Sequence, residues 1–496
     1  MTQIHTAATF FFLNFAKLKY KNSNYMNTKP IRKITTSLLL LASLTSTAKN
    51  IDIQSYGVVA DGVTMQTAKI QQAIDECSAT GGGVVTFSPG KYLTGTLRLK
   101  SNVEMRIERG ATILGSTNVP GDYPVRALIY AEGIENAGIS GEGIIDGQAD
   151  TPEYLAHGFR VNDGVRPNGI FFKDCKNMTA KDFEIRDVDS WTFRLFRCDG
   201  VRIQGIKIHS LMQGNNDGID VDARNVTITG CLIECDDDGI CLKSDDPKFL
   251  PENIVVSNCV IASNCNPIKF GTSCYAGFRN VTITNCTIRP ATESHIWDWS
   301  KDYDSLAPKT ITGLAGIAIE CPDGGKIEQV AISNITMSGI ITPIFINLNK
   351  RHGGGKGYIK DVTISQIKAV AYGIIPSIIS GIPGLRVSDI TLRDITVEHE
   401  GGEAVMTKRL PENLTGYPEN RMFGRKNPAG GLFVRHADNV RVYNLRVIQR
   451  NKDMRPAVVA DDVNGMQING LQTVNTGKDA VQAIESSNIT LDGKKI

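Results

Sequence analysis

The sequence predicts an all-β chain: a single right-handed parallel β-helix, or solenoid, with one capping helix at its N-terminal end. The first observation is a recurring pattern. It reads GVRIQGIKIH at 200–209, NVTITGCLIE at 225–234, NIVVSNCVIA at 253–262 and NVTITNCTIR at 280–289, then QVAISNITMS at 329–338, DVTISQIKAV at 361–370, NVRVYNLRVI at 439–448 and GMQINGLQTV at 465–474. Each copy alternates apolar and polar residues, breaks at Asn or Gly, and alternates again, which describes two short strands around a bend. The second observation is the period, mostly 25–32 residues. A unit of that size buries its apolar face only by stacking on its neighbours. Third, long helical periodicity after Ile51 is confined to residues 66–78, QTAKIQQAIDECS. One amphipathic helix there would cover the open end of the stack. A β-propeller needs four strands per repeat, and the short period disfavours it.

The segment before the repeats reads differently. Residues 26–48, MNTKPIRKITTSLLLLASLTSTA, carry a basic start (Lys29, Arg32, Lys33), an apolar run from Ser37 to Leu44, and small residues at Ser46, Thr47 and Ala48. That is the pattern of a secretory signal peptide, too short to span a membrane. Residues 1–25 are then expected to derive from a start codon assigned too early, and residues 49–496 to form the β-helix domain. The expected location is outside the cytoplasm, periplasmic or extracellular.

Lys plus Arg number 54 against 52 Asp plus Glu, a net charge of +2, so nothing in the charge balance favours nucleic acid or a membrane surface as partner. The chain has 11 cysteines. Cys231, Cys259 and Cys286 recur in the same place in successive repeats, which makes them stacked core residues rather than bridges or metal ligands. The Asn-x-Thr units at Asn225 and Asn280 match the glycosylation pattern. They read better as inward or ladder residues bonding to the next coil.

One acidic run stands out. ECDDDGICLKSDD at 234–246 places Asp236, Asp237 and Asp238 directly before an apolar strand, and LMQGNNDGIDV at 211–221 places Asp217 before another. Asp217 and Asp237 are about one coil apart, so Asp217 and the 237–238 pair should project onto one wall. Crowded carboxylates cannot all ionise cheaply, and one raised carboxyl beside ionised ones is an acid/base arrangement suited to glycoside hydrolysis. A solvated acidic turn or a Ca²⁺ site would use the same residues.

From residue 50 onward the chain resembles glycoside hydrolase family 28, the polygalacturonase and rhamnogalacturonase family. The resemblance is carried by the opening IDIQSYGVVADGVTMQTAKIQQAIDECSATGGGVVTFSPGKYLTGTLRLKSNVEMRIERGATILGS, by ISGEGIIDGQ at 139–148, by Asn215-Asn216-Asp217 and by Asp237-Asp238. It implies an inverting hydrolase, exported and bacterial. By that resemblance Asp237 is the general acid, while Asp217 and Asp238 hold and activate the attacking water. No cofactor or metal is implied.

The sequence departs from the family at two motifs. Where polygalacturonases carry Gly-His-Gly, this chain has SNCNPIKFGTS at 263–273, without His and with Lys269 as its basic residue. Where they carry Arg-Ile-Lys, it has Ala318-Ile319-Glu320. Glu320 would repel a uronate carboxylate, so rhamnogalacturonan or a pectin side chain is the expected substrate in preference to homogalacturonan. Further substrate-binding candidates are Arg166, Trp191, Arg194, Lys243, Lys269, Glu320, and Tyr417 and Arg421 from the long irregular stretch 416–431, which also holds Arg425 and is expected to close one end of the groove. Arg435 and His436 look strand-borne, and His436 reads as structural. The expected partner is a pectic polysaccharide or oligosaccharide, bound by a monomer without a membrane span. The alternatives are a β-helix polysaccharide lyase, a polygalacturonase with altered carboxylate recognition, and a non-catalytic carbohydrate-binding solenoid.

Overall fold

The repeated decapeptides stack in parallel register in a computed structural model of the chain. It describes residues 49–155, 166–293, 313–353 and 356–496. The proposed signal peptide and the 1–25 segment lie outside these. One inward column runs through Met178, Val201, Val226, Ile254, Val281, Val330, Val362 and Ile390, each directly over the next. All are buried, so each coil covers the apolar face of its neighbour at the parallel-strand spacing of about 4.8 Å. The architecture is a right-handed parallel β-helix.

Both ends of the described stack are finished. The helix Thr67–Ala79 buries Ile70, Ala73, Ile74 and Cys77 against the first coils, as residues 66–78 predict. At the other end the chain folds back, and Thr490 and Leu491 pair antiparallel with Lys495 and Lys494. Among the described residues no helix is long and apolar enough to cross a membrane.

The repeated asparagines form ladders on exposed corners, not inward ones. Asn225, Asn253 and Asn280 have φ of 54°, 58° and 54°, a left-handed conformation that Asn tolerates better than most residues. Asn253 donates its side-chain amide to Asn225 at 2.9 Å, and Asn280 donates to Asn253 at 2.7 Å. All eleven cysteines are free thiols, and Cys231, Cys259 and Cys286 are stacked in the core.

Strand alternation creates a second core outside the coils. Ile317, Ile344, Ile379, Val434 and Val458 point inward. Their neighbours Ala318, Phe345, Ile378, Phe433 and Val459 point outward, one coil above another. That apolar column is buried with Met406, Leu410, Met422, Phe423 and Ala429. The segment 402–431 is therefore a strap over the C-terminal half of this wall. In the preceding coils the same column reads Arg194, Asp220, Cys241 and Lys269. The wall changes from polar to apolar between Lys269 and Ala318.

Candidate active site

The aspartates sit where strands begin after a bend. Ile219 lies over Ile240 and Asp220 over Cys241, and the Gly218 N–H donates to the Asp238 carbonyl at 2.8 Å. Register thus sets Asp217 against Asp238, with Asn216 against Asp237. Side-chain oxygens of Asp217 and Asp238 come within 4.8 Å of each other, as do those of Asp237 and Asp238. All three residues are buried. The bend is held from both neighbouring coils: the Asn216 Oδ1 accepts the Asp237 N–H at 3.1 Å, and Ser263 Oγ donates to the Asp237 carbonyl at 2.5 Å. Asp236 points away and accepts from Asn264 at 2.5 Å.

The three carboxyls differ electrically. Burial, then the charges of Asp217 and Asp238, push Asp237 up to about 8. Burial also pushes on Asp238, but the charges of Lys269 and Lys243 and a hydrogen bond from Asn266 outweigh it and hold Asp238 below its ordinary value. Asn266 donates Nδ2 to Asp238 Oδ1 at 2.7 Å. Burial raises Asp217, against the pull of Lys243. At neutral pH the arrangement offers one protonated carboxyl beside an ionised one, which are the two states that acid-assisted cleavage with base activation of water requires.

Two lysines supply the positive charge, Lys269 buried and Lys243 with its side chain 13% exposed. Lys243 Nζ lies 3.1 Å from Asp217 and 3.4 Å from Asp220. It also lies 5.2 Å from the Trp191 ring centre. Lys269 Nζ lies 2.8 Å from Glu320, and their side chains are 2% and 0% exposed. This revises the expectation for Glu320: a carboxylate with no exposed surface does not confront a substrate, and its charge is already spent on Lys269. Burial pushes Glu320 up to about 7 against that attraction. Lys269 likewise has almost no surface to offer a ligand.

Other predicted residues fall on the same wall with more varied roles. Arg194 lies 4.4 Å from the Trp191 ring centre and 4.8 Å from that of Phe171, and it pairs with Asp245 at 3.2 Å. Arg166 pairs with Asp189 at 3.4 Å and donates to the Asp189 and Gly214 carbonyls, so it braces the turn before Asn215. Tyr417 reaches back from the strap, its hydroxyl 2.6 Å from Thr272 Oγ1. Arg421 pairs with Glu419 at 2.5 Å within the strap. His436 bridges Asp462 at 2.6 Å and Glu412 at 3.0 Å, and Arg435 joins Glu412 to Asp461. These two tie the strap to the coils. Sequence reasoning missed Asn216, Asn266 and Asp220. The phase of the repeat could have exposed Asp220, because a carboxylate in that outward column stands next to Asp217.

The comparisons agree with this geometry. A family model described as glycosyl hydrolases family 28 matches residues 77–295, which include all three aspartates. The exo-poly-alpha-D-galacturonosidase of Dickeya chrysanthemi is 28% identical over 272 residues, 49% of this chain and 40% of that protein. Rhamnogalacturonase B of Aspergillus niger is 23% identical over 375 residues, 74% of this chain and 61% of that protein. The chain therefore spans less than two thirds of either relative. A hyperthermoactive exopolygalacturonase from Thermotoga maritima shares the fold, with a TM-score of 0.60 and 21% identity over 71% of this chain and 88% of that one. Sequence, fold and carboxylate geometry point the same way: residues 77–295, which hold the three aspartates, match the model of glycosyl hydrolases family 28, and the chain is similar to that family.

Proposed function

We propose that the chain is an inverting glycoside hydrolase of a pectic polysaccharide, with Asp237 as general acid and Asp238, assisted by Asp217, as the base that activates water. The observation that carries this is the split between neighbours, Asp237 held up to about 8 and Asp238 held below its ordinary value. The protonated carboxyl delivers its proton to the leaving oxygen while the ionised one takes a proton from the attacking water. The two stand closer, with oxygens within 4.8 Å, than the roughly 6.5–9.5 Å usual for inversion, so the anomer of the product is the decisive readout.

The substrate unit along this wall is a neutral sugar, as in rhamnogalacturonan or a pectin side chain. The cations along this wall already have carboxylate partners: Lys243 with Asp217 and Asp220, Lys269 with Glu320, Arg194 with Asp245, and Arg351 with Asp323. A uronate carboxylate would have to displace one of them. The strap over Ala318 and Phe345 leaves the polysaccharide no path along the C-terminal coils, which favours release of single units from a chain end. Export after cleavage near Lys49 belongs to the same reading, with peptide sequencing of the mature terminus as its check.

The test is incubation with polygalacturonate, rhamnogalacturonan and side-chain fragments, with products followed by anomeric NMR. Inverted single sugars from a neutral-sugar linkage support the proposal. A retained anomer overturns the mechanism, an oligomer ladder overturns chain-end action, and ultraviolet-absorbing unsaturated products indicate a lyase.

A further inference from the structure

Asp220 has no place in the reaction just proposed, yet it occupies the centre of the charged cluster. It stands on the strand Ile219–Thr229, directly over Cys241 and directly under Arg194. It is 1% exposed. Lys243 Nζ is 3.4 Å away, shared with Asp217. Neither Asp220 oxygen receives a donor hydrogen bond, and Oδ1 of Asp217 is equally without one. The two carboxyls meet the same ammonium, Lys243 Nζ lying 3.1 Å from Asp217 and 3.4 Å from Asp220, which sets them side by side. Two buried acceptors in that position repel unless a proton lies between them.

We infer that Asp220 is a positioning residue that keeps its proton and donates it to Asp217, holding that carboxyl ionised and turned toward the reacting water. The charged and titratable groups around it fit one proton in this pair. Lys243 supplies a single positive charge to two carboxyls, Arg194 is committed to Asp245, the neighbouring Asp222 is itself raised by burial, and Cys241 is a buried thiol pushed well up. An ionised Asp220, 1% exposed, would leave one lysine facing two buried carboxylates. A protonated Asp220 converts the repulsion into a charge-assisted hydrogen bond.

The inference rests on the hydrolase reading, and its test separates the two. Asp220→Asn keeps a donor without a titrating proton; Asp220→Leu keeps the volume and removes the donor. With wild-type activity in hand, D220N retains both kcat and the acid limb of the kcat profile. D220L loses kcat on the order of tenfold to hundredfold at similar KM, and its acid limb moves to higher pH. If Asp220 is instead ionised, both variants relieve repulsion and the limb moves to lower pH, which overturns the inference. Equal losses in both variants without a shift of the limb also overturn it. Infrared difference spectra between wild type and D220N supply a readout independent of turnover: a protonated carboxyl band that shifts in D₂O and vanishes in D220N. Absence of that band sinks the inference even if the enzyme hydrolyses pectin, and its presence supports it even if no pectic substrate is cleaved.

Discussion

Replacing Lys269 by methionine tests whether the wall is held by charge or by shape. Lys269→Met leaves Glu320, with no exposed surface, without the cation at 2.8 Å and with the Thr272 hydroxyl as a donor at 3.3 Å, and removes the largest opposing charge on Asp238. Breaking a buried pair from one side costs about 3–5 kcal/mol. Glu320 can escape part of this by keeping its proton, since it already titrates at about 7 beside the lysine. The expected loss is therefore near the lower end, about 3 kcal/mol at pH 8, and smaller at pH 5, where the proton is already bound. Asp238 adds a second pH effect. Held below its ordinary value, it contributes stability that is present above the ordinary carboxylate pKa and lost as pH falls through the depressed folded one; K269M abolishes that contribution. Adding Glu320→Leu to K269M should return stability to within about 1 kcal/mol of wild type, because an apolar pair of similar volume no longer buries a charge. Activity should not return with it, since Asp238 still lacks its cation and the acid limb stays shifted to higher pH. Matched denaturant unfolding of the three proteins, with pH–rate profiles, reads both quantities. A single mutant within 1 kcal/mol of wild type at pH 8, or a double mutant as unstable as the single, would refute the reasoning.

Three other outcomes follow from the same coordinates. Asp237→Asn should lower kcat roughly 10²–10⁴-fold while holding or raising the melting temperature at neutral pH, since its raised carboxyl costs stability there; wild-type activity should decline above about pH 8 as Asp237 loses its proton, and an alkaline limb that survives D237N would point to another acid. Asp222, raised by burial to about 7, binds its proton more tightly folded than unfolded, so its contribution is full below the ordinary carboxylate pKa and lost as pH rises through 7. Asp222→Asn should then gain on the order of 2–4 kcal/mol over wild type at pH 8 and nothing at pH 4, as urea titrations at the two pH values would reveal. Asn280→Ala should cost about 1–2 kcal/mol for the left-handed backbone and Asn280→Gly less, a difference readable in melting temperature; equal effects would place the cost in the ladder amide alone.

The coils were legible because each repeat writes its own phase, and Val226, Ile254 and Val281 show the inward face without help from neighbours. The paired aspartates were legible because their oddity is local: like charges entering an apolar strand. The Lys269–Glu320 pair was not. It joins strands separated by a long connection, and nothing in the sequence says that Ile268 falls over Ile317, so Glu320 was read as substrate-facing. Asp220 was hidden by its setting in GIDV, where it passes for the polar half of an ordinary alternating strand. The strap was recognised as a long irregular stretch, but not the surface it covers. Phe345, Ile378 and Phe433 lie in runs apolar on both faces, and such a run does not say what covers its outer side.

The asparagine corners set the terms on which this molecule can change. Asn334 donates to Asn285 at 2.8 Å although 49 residues separate them, while Asn280 and Asn253 bond across 27. The corner keeps time whatever the length of chain spent elsewhere in the turn. Insertions can therefore accumulate on the groove side, lengthening a rim or lowering a strap, without moving the next rung out of phase. In such a scaffold the rim is free to drift by loop length, while the carboxylates of Asp217, Asp237 and Asp238 stay fixed to the rungs.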